Sequence, residues 1–339
     1  MSGDAARNTA LLEVTDLAKY FPLKKGLGRR EVGMVKAVDG ISFEVKHGEI
    51  LGIVGESGSG KTTAARCILR AIEPTRGRIL YHDDSGTVDV GALGRRELRR
   101  FRRNMQMIFQ DPYASLNPRM MVREIIGEPL IVYGVAKGRV LESRVRELMQ
   151  QVGLDDRYLN RYPHAFSGGQ RQRIGIARAL ALKPSLVVCD EAVSALDMSM
   201  QAQVLNLLEQ LQQQLKLTYV FIAHDLSVVR HFCHRIAVMY AGRIVENGAT
   251  EDVFSNPLHP YTEALLSAAP NTEMGTRSKR IALSGEIPDP LDMPHGCAFH
   301  PRCQHAREAC SASEPPLNEV RPGRRASCHF VDELSLQGI

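Results

Sequence analysis

Residues Ile50-Leu51-Gly52-Ile53-Val54-Gly55-Glu56-Ser57-Gly58-Ser59-Gly60-Lys61-Thr62-Thr63 decide how this 339-residue chain is read. The run 50–54 is apolar throughout, as a strand covered on both faces must be. It leads directly into G-x-x-x-x-G-K-T over Gly55 to Thr62, and helix-forming residues follow from Ala64 to Ile72. Glycines let the backbone curl until successive N–H groups face phosphate oxygens, and a helix N-terminus adds partial positive charge there. Lys61 would reach the β- and γ-phosphates, and the Thr62 hydroxyl would ligate Mg²⁺. A chance glycine-rich turn is the rival reading, and the position between strand and helix weighs against it. Gly55, Glu56, Ser57, Gly58, Ser59, Gly60, Lys61, Thr62 and Thr63 are therefore the candidate nucleotide cradle.

The complement is Leu186-Val187-Val188-Cys189-Asp190-Glu191, an apolar strand ending in two carboxylates. Asp190 is placed to hold Mg²⁺ through water, and Glu191 to polarise an attacking water as general base. Alone this tail is weak, because acidic residues often follow strands. Paired with the phosphate loop it becomes strong.

Outward from these motifs, residues 11–55 alternate in short runs such as Ile41-Ser42-Phe43-Glu44-Val45, which predict antiparallel strands. The β signal disappears between about 111 and 165, where Leu141, Val145, Leu148 and Val152 share one helical face. It returns at 186–189 and 219–223, flanking a helix-forming stretch at 199–216. This alternation predicts a parallel α/β core with a helical insertion. A last β signal, Arg235 to Val245, precedes a helix ending near Ala269. Prolines then crowd between 288 and 322, which predicts an irregular module. A single phosphate-loop motif means the chain carries half of any two-site machine.

A formal charge of +5 is small for this length; it permits a mildly basic face but does not argue for nucleic acid, which calls for clustered basic residues with stacking aromatics. The one local cluster, Arg95, Arg96, Arg99, Arg100, Arg102 and Arg103, reads as a solvated helix face or a phosphate- or lipid-facing patch. No apolar run approaches the roughly 18–20 residues that span a bilayer. Asp4, Arg7, Glu13 and Asp16 leave no room for a signal peptide. The expectation is a protein on the cytoplasmic face, joined to a membrane only through partners.

Phe166-Ser167-Gly168-Gly169-Gln170 opens a long helix, Arg171 to Leu182, and stands shortly before Asp190. It resembles the signature motif of ABC ATPases. Ser167 can cap the helix, and Gly168 and Gly169 allow close approach to a phosphate. The resemblance implies that Ser167, Gly168, Gly169 and Gln170 meet the γ-phosphate bound by an opposite subunit. It also implies that Gln110 is the Q-loop glutamine sensing Mg²⁺, and that Ser194-Ala195-Leu196-Asp197 is the D-loop. His224 becomes the switch histidine, and Phe21, with Tyr20 as competitor, the aromatic stacked on adenine. Ala192 departs from the proline common in the family.

Ser115-Leu116-Asn117-Pro118-Arg119, Arg161-Tyr162-Pro163-His164 and Asn256-Pro257-Leu258-His259-Pro260-Tyr261-Thr262 resemble the oligopeptide/dipeptide importer branch, most closely its F-type subunit. The implied fold is a P-loop (RecA-like) ABC ATPase core of α/β class. It would carry an antiparallel β subdomain, a helical subdomain at about 111–169 and a small Cys-rich C-terminal module. The implied domains are 1–270 and a 271–339 extension. The implied activity is ATP hydrolysis powering peptide uptake, with a second ATPase subunit as heterodimer partner, two transmembrane permeases and an extracytoplasmic solute-binding protein. Nickel, glutathione or a sugar oligomer are alternative cargoes. A non-transport ABC ATPase is disfavoured, because the chain has no long heptad arms and only one ATPase half.

Four of the seven cysteines, Cys297, Cys303, Cys310 and Cys328, lie in the tail, spaced x5, x6 and x17. They lack the C-x2-C knuckles of structural zinc and suit a [4Fe–4S] cluster at least as well. The branch resemblance implies that cluster. Zinc, with His295, His300 and His305 nearby, and free thiols stay open. Cys67, Cys189 and Cys233 read as small apolar packers.

Overall fold

The apolar run 50–54 is a strand with all five residues buried. The computed structural model describes residues 9–25, 30–268, 281, 283 and 285–339. Its strands are β1 (Ala10–Lys25), β2 (Arg30–Lys46), β3 (Ile50–Val54), β4 (Arg76–Asp83), β5 (Gly86–Asp89) and β6 (Met105–Ile108). They continue as β7 (Leu186–Asp190), β8 (Thr218–Ile222), β9 (Arg235–Tyr240), β10 (Arg243–Ala249), β11 (Asn318–Arg321) and β12 (Arg324–Ala326). The chain divides into two compact units.

The first unit takes Lys46–Glu49 and Ala92–Ile222. Its strands β6, β7 and β8 are parallel neighbours, with Ile108 beside Cys189 and Cys189 beside Phe221. Strands β7 and β8 are wholly buried, consistent with their apolar composition. From 109 to 185 there is no strand, and helices Val122–Val132, Gly138–Gln151 and Gly168–Leu180 pack on one another. The helical insertion expected at about 111–169 falls inside this unit. In helix Gly138–Gln151 the buried residues are Val145, Leu148 and Met149, so the apolar stripe predicted from its spacing does face inward.

The second unit takes Ala10–Val45, Ile50–Gly91 and Ala223–Ile339. One sheet runs β2-β1-β4-β5, with β4 antiparallel to both β1 and β5. A second set of strands places β3 parallel to β9, then β9, β10, β12 and β11 antiparallel in turn. The residues expected to form a separate extension from 271 onward therefore fold with this unit where they are described. The tail is also less irregular than its prolines predict. A helix forms at Glu308–Ala312, and β12 adds to β10 through Glu246 opposite Ala326. The core of this attachment is an ion pair in which Arg324 Nη2 lies 3.0 Å from the fully buried Glu246.

One helix boundary differs from expectation. The helix after the phosphate loop runs Lys61–Ile68 rather than onward to Ile72. Arg70 adopts a left-handed φ of 50°, Arg70 N–H bonds the Cys67 carbonyl and Ala71 N–H bonds the Arg66 carbonyl. This is the Schellman closure, here formed without glycine. No helix among the described residues is long and apolar enough to cross a membrane.

Candidate functional site

In the second unit, the loop after β3 is shaped first by the protein's own packing. Gly55 and Gly60 have φ of 150° and 100°. A Cβ on Gly55 would stand 2.1 Å from the Met239 carbonyl oxygen, and one on Gly60 2.1 Å from that of Ala37. Strands β9 and β2 thus press on the loop at both ends, where only glycine fits. Gly60 is the N-cap of helix Lys61–Ile68 and supplies no side-chain cap, which leaves an anion to serve that end of the helix.

Lys61 is buried, and its Nζ donates to the carbonyls of Gly55 and Glu56, both at 2.8 Å, and to Ser59 Oγ at 3.4 Å. The ammonium is thereby held inside the curl of the loop, where it can exchange carbonyl contacts for phosphate oxygens. Ser57 and Gly58 are exposed at the loop tip, while Thr62 and Thr63 are half-buried at the start of the helix.

Glu56 is held at both its backbone and its side chain. Its N–H donates to the Tyr261 hydroxyl at 2.8 Å, and its carboxylate takes a two-pronged contact from Arg302, at 2.8 and 3.1 Å. Neither partner was legible as part of a nucleotide site.

In the same unit His224 is exposed and follows Ala223, whose N–H bonds the Ile53 carbonyl, so it sits near the level at which β3 enters the loop. Asp225, next in sequence, caps helix Leu226–Phe232. Phe21 is 37% exposed on β1, with Lys19 Nζ 5.0 Å from its ring. Its competitor Tyr20 is engaged elsewhere, donating its hydroxyl to Asp39, which leaves Phe21 the more available aromatic.

In the first unit, strand register assembles the carboxylate site. Because Ile108 and Cys189 are neighbours in parallel strands, Gln110 and Glu191, each two residues on, emerge side by side at the carboxyl ends of β6 and β7. That edge is where ligands of open α/β sheets bind. Gln110 Nε2 donates to Glu191 Oε2 at 2.7 Å, a contact that could not be read from residue spacing. Asp190 is buried at the strand end, and Glu191 takes a left-handed φ of 48°. Such a backbone is costly for a residue with a Cβ. Bonds from Glu191 N–H to the Ile222 carbonyl and from the Ser194 hydroxyl to the Glu191 carbonyl hold it there. Ala192 is buried in the same turn.

Ser167 caps the helix Gly168–Leu180 as expected. Its Oγ accepts from Gln170 N–H at 3.3 Å while Gln170 Oε1 accepts from Ser167 N–H at 3.1 Å, a reciprocal capping box. The helix starts three residues earlier than the sequence suggested. Gly169 lies close under Met200, whose Cε would be 2.0 Å from an added Cβ. This helix is also tied to the segment beyond Gln110. The Arg171 guanidinium lies 3.8 Å from the centre of the Tyr113 ring, and Arg178 donates to the Ser115 carbonyl at 2.7 Å.

The tail cysteines do not bear out a ligand set. Among the described residues no three His, Cys, Asp or Glu side chains converge as a metal would require. The four thiols belong to one neighbourhood, since Cys297 N–H bonds the Cys310 carbonyl and the charge on Cys303 would be felt by the other three. Burial pushes Cys303 up to about 11 and raises Cys297 and Cys328 as well. Cys67, Cys189 and Cys233 are buried in apolar surroundings, as packers are.

The chain is 51% identical over 329 residues to the oligopeptide transport ATP-binding protein AppF of Bacillus subtilis, covering 96% of this chain and 99% of that protein. The chain belongs to the ABC transporter family. Residues 38–194 match the ABC transporter family, and residues 245–310 match the oligopeptide/dipeptide transporter C-terminal region. The dipeptide transport ATP-binding protein DppF of Haemophilus influenzae is 47% identical over 338 residues, covering 98% of this chain and 100% of its own. Among solved structures, the dimeric ATP-binding cassette MJ0796 bound to ADP and Pi is similar at a TM-score of 0.61. It is 28% identical and covers 70% of this chain and 98% of its own. The mixed α/β architecture is thus that of an ABC ATPase, an ATP-binding and ATP-hydrolysing protein.

Proposed function

We propose that this chain energises the uptake of dipeptides or oligopeptides, as one of two ATPase subunits on the cytoplasmic face of a membrane-embedded importer. The observation that carries the reading is the breadth of the match. Relatives named for oligopeptide and dipeptide transport align with 96% and 98% of the chain, and the extension typical of that branch matches over 245–310. The partners are a second ABC ATPase subunit, two transmembrane permeases and, through them, an extracytoplasmic solute-binding protein. No nucleic acid is involved.

In this reading Phe21 stacks on adenine, and residues 55–63 wrap the phosphates with Lys61 on the β- and γ-oxygens. Thr62, Asp190 and Gln110 would hold Mg²⁺, which would neutralise charge on the phosphates. Glu191 takes the proton of the attacking water, His224 contacts the γ-phosphate, and Ser167 to Gln170 close on the nucleotide of the opposite subunit. Support for Glu191 comes from its fixed backbone and its contact with Gln110. A [4Fe–4S] cluster on Cys297, Cys303, Cys310 and Cys328 rests on resemblance alone, and no step of this cycle is routed through it.

The test is reconstitution of the full importer in vesicles, following ATP hydrolysis and uptake of labelled di- and oligopeptides. Peptide-stimulated hydrolysis with uptake is expected. Uptake of nickel, glutathione or a sugar oligomer in place of peptides would overturn the cargo. Iron and sulfide analysis of the anaerobically purified protein decides the cluster.

A further inference from the structure

We propose that Arg302 is a positioning residue for nucleotide binding, gripping Glu56 of the phosphate loop from the tail and cancelling its charge. The proposal rests on the reading of residues 55–63 as the nucleotide cradle. Arg302 lies on the turn His300–Arg302, between Cys297 and Cys303, and is 6% exposed. Its Nη1 meets Glu56 Oε2 at 2.8 Å and its Nη2 meets Oε1 at 3.1 Å, the parallel fork that guanidinium and carboxylate form best. Nη1 also reaches the Tyr240 hydroxyl at 3.3 Å.

The grip is itself well anchored. Arg302 N–H bonds the Phe299 carbonyl at 3.0 Å, and the buried Phe299 ring packs against Tyr240 and Tyr261 at centroid distances of 5.2 and 5.5 Å. Tyr261 then accepts the Glu56 N–H. Glu56 is thus fixed at backbone and side chain alike, and its carbonyl is one of those holding Lys61. Two consequences follow. The curl of the loop is set by residues far along the chain, and a carboxylate that would repel a polyphosphate is paired with a cation.

The experiment measures ATP affinity and the KM and kcat of hydrolysis for the full-length chain and its variants. Arg302→Ala is expected to weaken ATP binding and raise KM roughly tenfold, the loss of one charge-assisted contact, with kcat at saturating ATP within about twofold. Arg302→Lys is expected to recover part of the affinity. Adding Glu56→Gln to Arg302→Ala is expected to recover part too, because the unpaired carboxylate is gone. A folded Arg302→Ala protein with unchanged KM overturns the proposal. So does a raised KM that neither Arg302→Lys nor the added Glu56→Gln corrects. If Arg302→Ala does not fold, the comparison of Arg302→Lys with Arg302→Lys/Glu56→Gln decides by the same rule. Lys61→Ala separates the two readings: if it leaves ATP binding intact, the cradle assignment fails, whatever Arg302 does.

Discussion

Glu191 combines a left-handed backbone with a side chain drawn toward Gln110, and the two together aim a carboxylate that strand direction alone would leave loose. A general base contributes on the order of 10²- to 10⁴-fold to a rate, so Glu191→Gln is expected to abolish most turnover while sparing ATP binding. Measuring hydrolysis alongside equilibrium ATP binding checks this, and normal turnover in the variant would remove Glu191 from that role. At this scale the sequence was informative for residues whose type is dictated by chemistry. Lys61, Asp190 and Glu191 could be picked out as candidates because phosphate, metal and water each call for a particular group. Arg302 was not, because an arginine among prolines and cysteines carries no mark of the glutamate it will meet 246 positions away.

At the scale of elements, His259 is a cap. It begins helix Pro260–Ser267, and its Nδ1 accepts from Tyr261 N–H at 3.0 Å, which requires the neutral ring. Complete burial lowers its pKa to about 3. The unfolded chain takes up a proton near pH 6.5 that the folded chain refuses until about pH 3. Stability from this group is therefore full above pH 6.5 and declines as pH falls through that window, by at most about 1.4 kcal/mol per unit. Burial raises the pKa of neighbouring Glu246, which acts with the opposite sign, so the informative quantity is a difference. Urea unfolding at pH 7, 6 and 5 is expected to show a shallower pH dependence in His259→Asn, where the cap survives without the titration. Equal slopes would exclude His259. Elements with long apolar runs or helical spacing were legible, since burial on a 2.0 or 3.6 period leaves a trace. Strands β11 and β12 were not, because Asn318-Glu319-Val320-Arg321 and Arg324-Arg325-Ala326 are charged and owe their form to pairing, β12 with β10 and β11 with β12.

For the molecule as a whole, the tail is part of the second unit's core rather than an appendage. Phe299, Arg302 and Arg324 are buried there, and Ile339 N–H still bonds the Phe254 carbonyl at 2.9 Å. A chain ending at residue 294 would bare Tyr240, Tyr261 and the buried Glu246 together. It is expected to be poorly soluble and to lose ATP binding, measured by equilibrium binding on any soluble fraction; wild-type affinity in that truncation would show the tail to be dispensable. The sequence suggested a boundary near 270 because proline density rises there, and composition does not reveal which surface a segment will cover. The ion pair between Glu56 and Arg302 also sets an order of events during synthesis. Ribosomes add roughly 5–20 residues per second, so the 246 positions between the two take about 12–50 s to emerge. Throughout that interval the nascent chain presents its phosphate loop with the Glu56 carboxylate unanswered, so full affinity for ATP arrives only after Arg302 has emerged.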